Sequence, residues 1–285
     1  MINIQKLVEQ ANTAGYRGAN AAAKVCQDIV LKALATGPLN RNVTIKGGVV
    51  MRSKTNNVRR ATQDLDIDFI KYSLADESID IFIEKLNCLE GISIIRTGKI
   101  EELKQQDYSG KRAHILIKDM EGNQVSSKID LGVHNRFELE QEEYCFDIAY
   151  DDEGASLLIN SDEQMFAEKL RSILKFGPLS TRFKDVFDMY YLKDTADMAK
   201  LLPALDTYIF KDPSMRENEG KDIVNRLSMT FKDKEYIKNL DSSDKRWIDD
   251  EINVITEGIL NFMNRISEIK KEHIILATPH KEVFY

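Results

Sequence analysis

Asp64-Leu65-Asp66-Ile67-Asp68-Phe69-Ile70 alternates an acid with an apolar residue, a period of two. Successive side chains of a β-strand leave opposite faces, so this stretch reads as a strand with one apolar and one all-acidic face. Asp64 and Asp66 then stand about 6.6 Å apart along the strand. At an effective dielectric near 20 such a pair repels by about 2.5 kcal/mol. A solvated sheet edge tolerates that cost; a partly buried face tolerates it only with a cation present. Carboxylate oxygens in a short row suit Mg²⁺, which keeps waters and bridges to substrate phosphates.

Sixteen residues before Asp64 lies Gly48, in Ile45-Lys46-Gly47-Gly48-Val49-Val50. Val43 to Ile45 reads as a short strand and a helix is expected from Val49. Glycines at a strand-to-helix junction let backbone N–H groups approach an anion, and the helix N-terminus favours its charge. A third acid, Asp130, sits in Ser127-Lys128-Ile129-Asp130-Leu131, a separate expected strand. Taken singly, each feature has a bland reading: a solvated face, a tight turn, a polar strand residue. Together they describe a phosphate cradle, two carboxylates on one strand and a third from another, with Asp64, Asp66 and Asp130 as the metal-ligand candidates.

Around this centre the pattern is mixed. A helix is expected over residues 19–35, stopped by Gly37-Pro38, with further helix at 79–89 and strand at 92–95. Residues 113–118 and 125–133 read as a β-hairpin, and 144–149 as one more strand. Beyond about residue 155 the pattern turns helical. Ser161 with Gln164 is the start of a helix ending at Phe176 before Gly177-Pro178. Thr181 is the expected cap of the next helix, whose face is Phe183, Val186, Phe187, Tyr190 and Tyr191. Ile248, Ile252, Ile255, Ile259, Phe262, Ile266 and Ile269 form the seam of a long helix, in a bundle core or an intermolecular coiled coil. The expected fold is α/β (α+β), a mixed sheet with flanking helices in a domain over residues 1–155, followed by an α-helical domain over 156–285.

The 285 residues are 42% hydrophobic and 31% charged, an ordinary globular composition that excludes fibrous repeats and wholesale disorder. Forty Lys and Arg against 47 Asp and Glu give a net charge of −7, which excludes a general nucleic-acid coat. A nucleic-acid partner must meet a local patch, for which Arg52, Lys54, Arg59, Arg60, Lys169, Arg171, Lys175, Arg182 and Lys184 are candidates. Cys26, Cys88 and Cys145 have no metal-like spacing and read as small core residues in a reducing compartment. His114, His134, His273 and His280 show no ligand spacing. No membrane span or signal-peptide core is read, so the expected location is cytoplasmic.

Lys46-Gly47-Gly48, Arg60-Ala61-Thr62-Gln63-Asp64-Leu65-Asp66, Glu168-Lys169 and Arg182-Phe183-Lys184-Asp185-Val186-Phe187-Asp188 occur in an order that resembles the AbiEii/AbiGii-type toxin family of the nucleotidyltransferase fold superfamily. The resemblance covers roughly residues 40–192, with Val49 where the family usually has Thr or Ser. It implies a Mg²⁺-dependent nucleotidyltransferase on the nucleotidyltransferase fold. Lys46, Gly47, Gly48, Thr62, Arg182 and Lys184 would bind the NTP, and Asp64, Asp66, Asp130, Lys169 and Asp185 would act in catalysis. It further implies a toxin–antitoxin or abortive-infection toxin with a cognate antitoxin as partner, whose acceptor is the 3′ end of tRNA. A small-molecule or protein hydroxyl as acceptor, and a non-catalytic partner-binding role for the same fold, are the competing readings.

Overall fold

A computed structural model describes residues 2–103, 110–136 and 138–269. The expected positions His273 and His280 lie outside the described residues. The chain splits into two compact units, residues 1–160 and 161–285.

In chain order the first unit contains α1 (Ile4–Thr13), α2 (Ala19–Thr36), β1 (Val43–Lys46), α3 (Gly48–Thr55), β2 (Asp64–Phe69), α4 (Asp76–Lys85), β3 (Ile92–Leu103), β4 (Gly110–Asp119), β5 (Gln124–Val133), β6 (Glu142–Ile148) and β7 (Asp151–Ile159). The strands form one mixed sheet in the order β3-β4-β5-β2-β1-β7-β6. β2 runs antiparallel to β1 and parallel to β5; β1 in turn runs parallel to β7.

Alternation along each strand sorts this sheet into two chemically different faces. Val43, Ile45, Leu65, Ile67, Phe69, Ile129, Leu131, Ala113 and Ile115 fall in register on one face and are buried, apart from water. α2 packs along β5 and β7, and α3 against β2. Phe69 meets Phe82 of α4 edge-on at 4.9 Å between centroids. The opposite face carries Thr44, Lys46, Asp64, Asp66, Asp68, Lys128, Asp130, Arg112 and His114.

The expected β2, β1 and α2 match the structure within a residue or two, and the hairpin forms with longer arms. β7 was not expected. Its acidic start, Asp151-Asp152-Glu153-Gly154, hides the strand residues Ala155 to Ile159 that follow. α1 was missed as well; it is held by Asn3, whose side chain accepts from the Lys6 N–H.

The second unit is helical: α5 (Asp162–Phe176), α6 (Phe183–Leu192), α7 (Met198–Leu205), a wide turn at Asp206–Phe210, α8 (Gly220–Lys232), α9 (Lys234–Asp241) and α10 (Ile252–Ser267). Ser161 caps α5, accepting from the Gln164 N–H at 3.2 Å. Thr181 does not cap α6; Arg182 occupies that position with no side-chain cap. The long seam is shorter than expected, because Ile248 precedes α10. Ile252, Ile255, Ile259, Phe262 and Ile266 are buried there, and Phe262 meets Phe166 of α5 at 5.3 Å.

Two expectations about single residues fail. Only Cys26 is buried; Cys88 and Cys145 are exposed, so they are not core residues. Arg52, Arg60 and Lys169 are buried rather than part of a basic surface.

Candidate active site

Strand register brings the first-unit candidates together. Asp66 of β2 is the direct partner of Asp130 on β5 and of Lys46 on β1, so all three leave the sheet on one face. Asp64 is paired with Lys128 and Asp68 with Thr44. Lys46 precedes the glycine turn that leads into α3, so the turn lies beside the acidic strand.

Both glycines in that turn are required by space. Gly47 has φ +69°, a conformation that L side chains rarely adopt, and a Cβ there would overlap Asp66 Oδ2. A Cβ on Gly48 would fall 2.7 Å from Thr62 Cβ and Oγ1. No side chain caps the start of α3 at Gly47, where the helix opens with bare backbone donors. Val49, in place of a hydroxyl residue, is fully buried and therefore serves the core.

The acids are matched one by one by cations from neighbouring strands. Lys128 Nζ lies 2.7 Å from Asp64 Oδ1, and Lys46 Nζ lies 2.7 Å from Asp68 Oδ1. Arg112 of β4 grips Asp130 with a fork, Nε to Oδ1 at 2.6 Å and Nη2 to Oδ2 at 2.7 Å. Burial pushes the Asp66 carboxyl up to about 6, Lys46 opposes this, and Asp130, Asp64 and Asp68 add to it. His134, just past β5, is buried and donates its backbone N–H to the Phe69 carbonyl; burial lowers its pKa, with Asp68 opposing.

The donor set fits a divalent cation. All candidates are carboxylates, and Asp64 Oδ1 and Asp68 Oδ1 are buried oxygens that accept no hydrogen bond despite their nearby lysines. Among the described residues, however, no three His, Cys, Asp or Glu side chains converge tightly enough to hold an ion as they stand. Arg112 from β4 and Lys128 from β5 are instead paired with Asp130 and Asp64.

Behind the face, buried polar residues tie the pieces together. Gln27 of α2 donates to the carbonyls of Thr62 (2.9 Å) and Asp64 (3.4 Å), and accepts from Arg52 Nη1 at 2.8 Å. Arg52 lies 3.9 Å from Asp28, which pairs with Lys24 and accepts from the Ala149 N–H. Arg52 thus links α3 to the entry of β2 from inside. Arg112, Lys128, Gln27 and Asp28 were not anticipated. The i, i+2 spacing of Lys128 and Asp130 is a visible signal for one of them; the other three are matters of register and packing.

The second-unit candidates form their own cluster. Lys169 Nζ meets Asp185 Oδ1 at 3.1 Å and Asp188 Oδ2 at 2.7 Å. Arg182 Nε reaches Asp185 Oδ2 at 2.7 Å, and Trp247 Nε1 donates to Asp188 Oδ1 at 3.1 Å. Burial works against the Asp185 charge, but Lys169 and Arg182 outweigh it and hold the carboxyl below the usual range. Asp188 and Trp247 complete a cluster for which only Lys169, Asp185, Arg182 and Lys184 were candidates. Lys184 is half-buried on the same helix.

Residues 29–249, most of the chain, match the family described as nucleotidyl transferase AbiEii toxin, type IV TA system. A solved antigenic nucleotidyltransferase-like protein from Paracoccidioides brasiliensis is similar at 13% identity and a TM-score of 0.44, over 76% of this chain and 91% of that one. No curated protein matches the chain.

Three predictions follow from this geometry. Gly47→Ala forces a left-handed conformation on a side chain and pushes it into Asp66, so a loss of about 1–3 kcal/mol is expected in urea unfolding. Lys169→Met removes the cation shared by the buried Asp185 and Asp188 and leaves Asp185 with Arg182 alone, which should cost about 3–5 kcal/mol. Trp247 is the protein's one tryptophan, so its emission should shift in the same variant. The Asp185 pKa is lowered on folding, so its share of stability is complete above about pH 4 and is lost as pH falls below that. Unfolding midpoints at pH 7 and pH 3 read this out as a smaller acid dependence in Asp185→Asn.

Proposed function

From the premise that the chain belongs to the AbiEii nucleotidyl transferase toxin family of type IV toxin–antitoxin systems, we propose that it transfers a nucleoside monophosphate from an NTP to the 3′ end of tRNA, blocking translation. The observation that carries this reading is the placement of Asp66 and Asp130 as register partners on one face, beside the Gly47-Gly48 turn.

In this reading the backbone donors at the start of α3 hold the triphosphate, because the glycines leave no Cβ between it and the amides. Lys46 neutralises phosphate charge from the adjoining strand end, and Thr62, packed on Gly48, lies close to the same turn. Asp64, Asp66 and Asp130 would hold Mg²⁺, whose chemistry when bound would be to offset phosphate charge and to lower the pKa of the acceptor hydroxyl. The acceptor oxygen forms a bond to the α-phosphorus as the bond to pyrophosphate breaks in line. The reading also gives Lys169, Asp185, Arg182 and Lys184 a part in turnover; its support is the family motif they make up. Among the described residues no helix is long and apolar enough to cross a membrane, and a cytoplasmic site of action goes with a tRNA acceptor.

The test is transfer of label from each α-labelled NTP with Mg²⁺ and total tRNA. Label on tRNA, reduced at least a hundredfold in Asp64→Asn and Asp66→Asn, is the expected result. Label only on small molecules or protein moves the acceptor. No transfer to any acceptor overturns the enzymatic reading. In cells, expression should slow growth and Asp66→Ala should relieve it; equal toxicity of the variant separates growth arrest from catalysis.

A further inference from the structure

Each outer carboxylate of the site carries its own cation, borrowed from the next strand. Lys128 and Asp130 stand two apart on β5, on the same face; Lys128 reaches across to Asp64 of β2 and Asp130 is taken by Arg112 of β4. The Arg112 fork engages both Asp130 oxygens in the bidentate geometry that suits guanidinium and carboxylate. The fork takes one lone pair on each oxygen, so a metal ion would bind Asp130 through a remaining lone pair, directly beside the guanidinium charge. The two cations compete electrostatically for one carboxylate.

The two pairs are also placed for exchange. Arg112 and Lys128 keep 25% and 34% of their side-chain surface exposed, against 12% for Lys46 in the inner pair with Asp68. Both have long, flexible stems, and both are cations that bind phosphate when released from a carboxylate. Asp64, Asp66, Asp68 and Asp130 face Lys46, Arg112 and Lys128, so these seven side chains are together close to neutral without any ion. A divalent cation arriving alone must displace a positive group into solvent, whereas one arriving with a polyphosphate hands that group a new anion.

We infer that Arg112 and Lys128 are exchangeable counter-ions of the site: they hold Asp130 and Asp64 until a divalent cation binds, and then contact the phosphates of the nucleotide. This rests on the proposed function, and it makes metal and phosphate binding mutually reinforcing through named side chains. Both are positioning and phosphate-binding residues here. A purely structural role for Arg112, orienting Asp130 for the metal, has the opposite consequence for metal affinity.

The experiment measures Mn²⁺ binding by electron paramagnetic resonance, without nucleotide, on the full chain. It compares wild type, Arg112→Gln, Arg112→Lys, Lys128→Gln and Asp66→Asn, each with circular dichroism as a check on folding. Arg112→Gln and Lys128→Gln should bind Mn²⁺ at least threefold more tightly than wild type, and Arg112→Lys should stay near wild type. The same Gln variants should bind inorganic tripolyphosphate at least threefold more weakly in saturating Mg²⁺, by titration calorimetry. Mn²⁺ affinity unchanged or weakened in both Gln variants, with normal binding to wild type and its loss in Asp66→Asn, overturns this inference and leaves the proposed function standing. No Mn²⁺ binding to wild type or to either Gln variant overturns both. Should Arg112→Gln fail to fold, the more exposed Lys128→Gln decides alone.

Discussion

β2 is hydrogen-bonded on both sides, antiparallel to β1 and parallel to β5, and this double pairing fixes what the site can be. A shift of one residue in either ladder would turn the acids into the helix-covered side and the Leu65, Ile67 and Phe69 side chains into water. Those three, with Ile129 and Leu131 beside them, are buried, so the register is held by apolar burial at about 25 cal/mol per Å². The carboxylates gain nothing from this themselves. They are carried to one face because the residues between them must go to the other.

The consequence is an electrostatic debt on the polar face. Burial, with the neighbouring Asp130, Asp64 and Asp68, pushes the Asp66 carboxyl up to about 6. The other three acids of the face are each paired with a cation: Asp64 with Lys128, Asp68 with Lys46 and Asp130 with Arg112. A face that needs three borrowed cations to hold four acids is poor as a structural solution, since apolar residues of like size would pack there at lower cost. The arrangement makes physical sense where a charge of changing sign, a metal with a polyphosphate, comes and goes.

How legible this was follows from what sets each feature. The β2 alternation, the glycine turn and α2 are local patterns, and a period of two or of 3.6 is visible in one strand or helix alone. Asp130 could be named as a strand residue, but its partnership with Asp66 is a parallel ladder across 64 residues of chain, and no local rule supplies that. Arg112 is further removed again, since it enters only through the β4–β5 pairing. Arg52 and Arg60 show the reverse error. Charge alone placed them on a surface, whereas Gln27 and Asp28 give Arg52 a polar interior to sit in. β7 was obscured by its acidic first residues, and the second-unit cluster by spacings that surface ion pairs explain equally well.

The burial of Arg52 and Arg60 bears on how a polyanionic substrate is held. With a net charge of −7, the protein has little long-range attraction for phosphate. Two of the basic residues nearest the acidic strand in sequence are withdrawn into the core, which narrows the surface available for diffuse backbone contacts. What the first unit offers at the site is short-range: backbone donors at the start of α3, Lys46 at the end of β1, and two cations already engaged with carboxylates. Recognition built this way depends on geometry at a few atoms, not on summed charge. On the proposed function, such a site would take a terminus or a polyphosphate that can enter the face and would give little hold on the length of a nucleic-acid chain beyond it.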